Sequence, residues 1–163
     1  MKNHQLTITY FEFESVVELN DDDKFLLNEA EKASHLAYSP YSHFSVGAAI
    51  HLVNGVIVVG NNQENAAYPS GLCAERVAMF AASSQFPGIP FRAIAVTAKS
   101  ENFLVDFPVS PCGSCRQVMA EYENLSKEPI RVILKGETGK IIVFEKSMDL
   151  LPFDFNSDQL KSK

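Results

Sequence analysis

Cysteine occurs three times in this chain of 163 residues, in two short runs: Cys73-Ala74-Glu75 and Pro111-Cys112-Gly113-Ser114-Cys115. Reactive thiolates are costly to leave exposed, so three placed this way point to a shared task. A fold that serves it must bring position 73 beside positions 112 and 115. Three sulfurs with no obvious fourth protein ligand describe a tetrahedral zinc site with one place open. Structural zinc sites are closed by four protein ligands, whereas catalytic ones keep a position for water. Glu75, two residues beyond Cys73, is the natural proton carrier for that water. The pattern is that of a site for hydrolysis.

Both cysteine runs read as helix N-termini. There the unpaired backbone N–H groups and the positive end of the helix dipole stabilise thiolates. Three thiolates around Zn²⁺ leave a net charge of about minus one, which a nearby cation would offset. Arg76 and Arg116 each directly follow a motif residue, and Arg76 is the favoured donor to a ligating sulfur. Spacing alone leaves open a structural zinc knuckle, three unrelated buried thiols or a redox C-x-x-C pair. A cysteine nucleophile would want a histidine base, and His4, His35, His43 and His51 have no motif around them.

The length suits one domain with a real core, and an apolar fraction of 46% lies in the ordinary globular range. No apolar run is long enough to span a membrane. The start, Met1-Lys2-Asn3-His4-Gln5, lacks the apolar stretch of a secretory signal. An odd cysteine count with a C-x-x-C pair does not look like a disulfide framework. Both observations predict a cytoplasmic protein. A formal net charge of −6 argues against RNA or DNA as substrate and favours a small neutral molecule.

Along the chain, residues 6–11 form a strand-like run. Asn20 and Asp21-Asp22-Asp23 supply a cap and first-turn carboxylates for a helix expected over about 24–38. Its apolar stripe is Phe25, Leu26, Ala30, Ala33 and Ala37, and Pro40 ends it. Asn54-Gly55 between residues 44–53 and 56–60 predicts a hairpin with a type I′ turn, and Gly47 sits inside a strand for close packing. A helix then starts near Cys73, followed by a buried strand over 93–97 and a second helix over 112–122. Two strands, 130–134 and 140–144, and a short helical piece at 147–151 complete the pattern. This order implies an α/β fold, a three-layer α/β/α sandwich around a mixed five-stranded sheet. The organisation expected is an N-terminal extension (1–23, with a possible extra strand), one catalytic domain (24–155) and a polar tail (156–163).

Beyond the cysteine signature, five linked segments resemble the small, homotetrameric, zinc-dependent cytidine deaminases. They are Tyr41-Ser42-His43-Phe44-Ser45-Val46-Gly47-Ala48-Ala49, Asn62-Gln63-Glu64-Asn65-Ala66-Ala67-Tyr68-Pro69, Cys73-Ala74-Glu75-Arg76, Pro111-Cys112-Gly113-Ser114-Cys115-Arg116-Gln117 and Leu150-Leu151-Pro152-Phe153-Asp154-Phe155. The zinc deaminases as a class carry a non-ligating Glu and a P-C-x-x-C run. The resemblance implies one Zn²⁺ per subunit on Cys73, Cys112 and Cys115, with Glu75 moving protons as hydroxide attacks C4 of the pyrimidine. It implies that Asn62 and Glu64 bind the ribose hydroxyls and that Phe44 packs on the base. The Ala74 N–H would hold the pyrimidine carbonyl, and the Ser110 carbonyl would receive the leaving ammonia. Tyr68 and Phe155 would reach a neighbouring subunit's site in a homotetramer. The activity implied is deamination of cytidine, and of deoxycytidine, in pyrimidine salvage. The alternatives are a relative acting on another aminopyrimidine or aminopurine, including blasticidin-like nucleosides, and a zinc-bearing RNA-editing or interaction module, against which the acidic balance speaks.

Overall fold

Strand-forming runs pair into one mixed sheet of six strands in a computed structural model that describes residues 1–161. The strands are β1 (Phe11–Phe13), β2 (Phe44–Leu52), β3 (Ile57–Asn61), β4 (Phe91–Ser100), β5 (Arg131–Lys135) and β6 (Ile141–Phe144), in the spatial order β1-β6-β5-β4-β2-β3. Only β4 and β5 run parallel; every other neighbouring pair is antiparallel. Parallel neighbours require a crossover, and α3 (Gly113–Ser126) supplies it.

Side chains alternate across the sheet with the period of two that a strand imposes. Ala48, Ile50, Leu52, Ile94, Val96, Val132 and Leu134 face a layer formed by α2 (Ala74–Gln85) and α3. Ala49, Ala93, Ala95 and Ile133 face the opposite layer, α1 (Asp21–Ser34). Two glycines set how closely the layers approach. A Cβ on Gly47 would lie 1.9 Å from the Ala30 carbonyl oxygen of α1, and one on Gly60 would lie 2.5 Å from the Ala78 nitrogen of α2. Gly47 is therefore in the strand for close packing, as its position suggested.

Several expectations are corrected. The sheet has six strands rather than five, because the N-terminal extension adds β1 to the edge of β6. That strand is 11–13, not 6–11: Phe11 pairs with Val143 and Phe13 with Ile141, and β6 ends at Phe144, so residues before Tyr10 have no partner left. Helix α1 starts at Asp21, with the Asn20 side chain accepting from the Asp23 N–H, and stops at Ser34 instead of 38. Tyr38 leaves the helix pattern because its N–H donates to the Asn62 carbonyl and its carbonyl accepts from the Glu64 N–H. Phe25 is exposed and Leu27 is buried in its place. The β2–β3 hairpin uses a three-residue loop. The Gly55 N–H donates to the Leu52 carbonyl, and only Gly55 of the loop (φ +87°) has positive φ, the pattern of a type I turn closed by a glycine bulge rather than type I′. The piece at 147–151 is a short 3₁₀ turn, Ser147–Leu150. The tail forms another, Ser157–Leu160, capped by Asn156; residues 162–163 of the expected tail lie outside the described residues.

Candidate active site

The N-termini of α2 and α3 converge at one end of the sheet. Cys73 is the N-cap of α2, Cys112 is the N-cap of α3, and Cys115 lies within the first turn of α3. Their Sγ atoms lie within 4.8 Å of one another. The Cys73–Cys112 separation is 3.8 Å and the Cys112–Cys115 separation 3.5 Å. Zn–S bonds of about 2.3 Å at tetrahedral angles require sulfurs about 3.8 Å apart. The donor set therefore fits one zinc ion. Among the described residues, no fourth His, Cys, Asp or Glu joins the group.

Arg76 Nη2 donates to Cys73 Sγ at 3.8 Å, while its Nε is buried with no partner among the described residues. Arg116 is committed elsewhere, its Nε donating to the Pro111 carbonyl at 2.7 Å and its Nη1 to the Leu150 carbonyl at 3.2 Å. Of the two arginines, only Arg76 serves the sulfurs. Within the cluster the negative charge settles first on Cys73. Its thiol is pulled down to about 5 by hydrogen bonding from Cys115, against the cost of burial, with Arg76 and Cys112 adding to the effect. Cys115, buried and donating to Cys73, is pushed in the opposite direction.

Glu75 is 4% exposed, on the first turn of α2. Burial raises its carboxyl above the usual range, its own backbone N–H partly opposes this, and the charge on Cys73 adds to the rise. A carboxyl raised toward neutrality is suited to taking and returning a proton.

These groups open onto a cavity of about 760 Å³ lined by Phe44, Asn62, Glu64, Tyr68, Cys73, Glu75, Arg76, Ser110 and Cys112, among others. The wall is held by side chains that bond backbone. Asn62 Oδ1 accepts from the Val46 N–H at 2.8 Å, and its Nδ2 donates to the Phe44 carbonyl at 2.9 Å. Glu64 accepts from the Tyr41 N–H at 2.9 Å, the Ser42 N–H at 3.2 Å and the Ser42 hydroxyl. The little burial Glu64 has would raise its carboxyl; these bonds and the charge of His43 outweigh it and hold the group below the usual carboxylate range. Gln63 and Leu72 exchange both backbone hydrogen bonds at 2.9 Å, closing the polar loop at its base so that Cys73 follows directly beside the Asn62–Glu64 segment.

A match to the family model for the cytidine and deoxycytidylate deaminase zinc-binding region spans residues 20–127. The chain belongs to this family. A cytidine deaminase of Sporosarcina psychrophila is 44% identical over 140 residues, covering 85% of this chain and 95% of its own length. Among solved structures, a cytidine deaminase from Burkholderia pseudomallei superposes with a TM-score of 0.71 at 39% identity, covering 84% of this chain and 100% of that one. One from Mycobacterium tuberculosis gives 0.65 at 31% identity, covering 84% and 99%. The family match begins at residue 20, so β1 lies ahead of it.

Not every residue singled out in the sequence meets at the cavity. Cys115 is fully buried behind it, and Ala74 is fully buried at the first position of α2, where its N–H has no intrahelical partner. Phe155 lies away from it, 57% exposed. The Phe155 backbone is clipped by Gln117, which donates from Nε2 to its carbonyl at 2.6 Å and accepts from its N–H at 3.2 Å. Tyr68 lines the cavity yet is 77% exposed, in edge contact with Tyr41. Sequence reasoning missed the pairing of His43 with Glu101 (Nδ1 to Oε2, 3.0 Å) and the stacking of Phe103 on Phe44. A lone histidine and a phenylalanine in an irregular loop carry no periodic signal by which either contact is read.

Proposed function

We propose that this chain hydrolyses the C4–N bond of cytidine, and of 2′-deoxycytidine, giving the uracil nucleoside and ammonia. The observation that carries this reading is the composition of this cavity. Thiols and a buried carboxyl form its floor, Phe44, Asn62 and Glu64 line its wall, and among the described residues Arg76 is the sole cationic one lining it. That arginine is turned to the Cys73 sulfur, which leaves no free cation among the described lining residues for a nucleotide phosphate. A zinc ion on Cys73, Cys112 and Cys115 supplies, when bound, a Lewis acid that lowers the pKa of water in its fourth position.

The protein's own groups account for the rest. Glu75 takes a proton from the attacking water and delivers it to N3 of the pyrimidine, then carries the water's second proton, from the new C4 hydroxyl, to the amino nitrogen as the C4–N bond breaks and the C4 carbonyl forms. Phe44 covers the face of the base. Glu64, still ionised well into acid, accepts from a sugar hydroxyl and repels a phosphate in that place. Asn62 has hydrogen-bonding capacity left beyond its two backbone bonds for the sugar. The first-turn N–H of Ala74 receives the pyrimidine carbonyl, and the Ser110 carbonyl receives the ammonia. Tyr68 and Phe155, both exposed on a single chain, complete the sites of neighbouring subunits in a homotetramer. An activity on free nucleosides fits pyrimidine salvage in the cytoplasm.

The test is loss of absorbance with cytidine, deoxycytidine, CMP, adenosine and guanine presented separately. Turnover of the first two and none of CMP is expected. Turnover of CMP alone, or of a purine alone, overturns the reading.

A further inference from the structure

We propose that Phe103, in the loop between β4 and α3, is a positioning residue for the base. It acts through Phe44, whose ring it fixes at the cavity wall. The inference rests on the reading of the cavity as a nucleoside site. The two rings stack with centroids 6.2 Å apart and planes 28° from parallel. Phe44 lines the cavity, whereas Phe103 stands behind it, 53% exposed. Phe103 therefore influences a bound base only by way of Phe44.

A stacked ring on a mobile loop would position nothing, but this loop is fastened on both sides of Phe103. On the near side it is tied to the residue preceding Phe44. The Glu101 N–H donates to the His43 carbonyl at 3.1 Å, and the Glu101 carboxylate meets His43 Nδ1 at 3.0 Å. His43 itself sits at φ +52°, a left-handed conformation uncommon for residues other than glycine. On the far side Val105 is fully buried, and its carbonyl accepts from the Glu137 N–H at 2.7 Å and the Thr138 N–H at 3.1 Å. Those residues belong to the turn between β5 and β6, which grips the loop closely. A Cβ at Gly136 would lie 2.5 Å from the Val105 carbonyl oxygen, and one at Gly139 would lie 2.1 Å from that of Asp106. The β5–β6 turn thus holds Val105, the loop holds Phe103, and Phe103 holds Phe44. The arrangement is a fixed wall rather than a lid.

Without the Phe103 ring, one face of Phe44 is left to solvent and the ring is free to leave its stacked rotamer. Contact with the base would weaken equally before and during reaction, so the loss falls on KM rather than kcat. The experiment is steady-state kinetics on cytidine with the zinc-loaded wild-type chain, Phe103→Ala and Phe103→Tyr, with zinc content measured for each. Phe103→Ala is expected to raise KM about three- to tenfold, the scale of one aromatic pair, with kcat within about twofold and zinc retained. Phe103→Tyr restores the ring and is expected to restore KM. An unchanged KM in Phe103→Ala, a loss confined to kcat, or a Tyr variant no better than Ala overturns the role of Phe103. Failure of the wild-type chain to turn over cytidine overturns the nucleoside reading and this role with it.

Discussion

At the floor of the cavity, Cys73, Glu75 and Cys112 stand at the starts of two helices with Cys115 buried behind them, whereas its rim is carried by the segments around Phe44 and Glu64, with Phe103 stacked behind Phe44. The floor is positioned by packing: α2 lies so close to Gly60 of β3 that no side chain fits between them. The rim is positioned by single side chains bonding backbone, Asn62 to Val46 and Phe44, and Glu64 to Tyr41 and Ser42. A packed contact fails as a unit, because displacing α2 moves Cys73 and the Glu75 carboxylate together. Hydrogen bonds contribute about 1 kcal/mol each and fail one at a time. The metal ligands are therefore built into the core of the fold, and the residues proposed to fit the substrate into its exchangeable border.

The largest expected effect comes from the glycines. Gly60→Ala and Gly47→Ala each force backbone to move, at a cost of about 3 kcal/mol or more, the upper end of overpacking effects. They should differ in consequence. Gly60→Ala displaces α2 and should lower zinc affinity and activity together, while Gly47→Ala displaces α1, which carries no site residue, and should leave zinc content intact in whatever folds. Denaturant melts with zinc assays check this, and equal zinc loss in both would break the distinction. Next is Asn62→Ala, which removes both bonds to β2. It should cost about 1–3 kcal/mol and raise KM for cytidine while the chain keeps its zinc; loss of zinc would tie the rim to the floor after all.

Glu64 gives a smaller, pH-dependent effect. Its folded pKa is depressed, so its contribution is complete above the ordinary carboxylate range, near 4.3, and is lost only as pH falls through the lower folded value. The stability difference between wild type and Glu64→Gln should be flat from neutral pH to about 5, fade in stronger acid, and stay under about 1 kcal/mol, because exposed charges are screened. A difference that shrinks between pH 7 and 5 contradicts this. The smallest effect is expected of His43→Gly, where relief of the left-handed backbone offsets loss of the exposed pair with Glu101. A change in melting midpoint of more than a few degrees would show that pair to be stronger than surface pairs are.

The same division explains what could be read from the sequence. The sites of Cys73, Glu75, Cys112 and Cys115 at helix starts were legible because helix signals, proline before α3 and thiol spacing are all local. So was the sheet with helices on both faces, since strand runs alternate with helical ones along the chain and the central strands are near-continuous apolar runs. What escaped was decided by partners distant in sequence. Residues 6–9 have strand composition yet lie beyond the end of β6, and Tyr38 is drawn from a helical pattern into pairing with the Asn62–Glu64 segment. Phe103 gave no signal, because its meaning depends on a ring some sixty positions earlier. Composition suggested a type I′ turn at Asn54-Gly55, but the register set by β2 and β3 placed Val53 in the loop as well.

The central claim is that Glu75 moves the protons of the reaction without holding the metal. The direct measurement is cytidine turnover by wild type and Glu75→Gln, each with its zinc quantified. Both proteins are expected to carry one zinc per chain, and kcat to fall about 10²- to 10⁴-fold in the variant, the range for loss of a general acid–base. Full turnover by Glu75→Gln, or loss of its zinc, would contradict the claim.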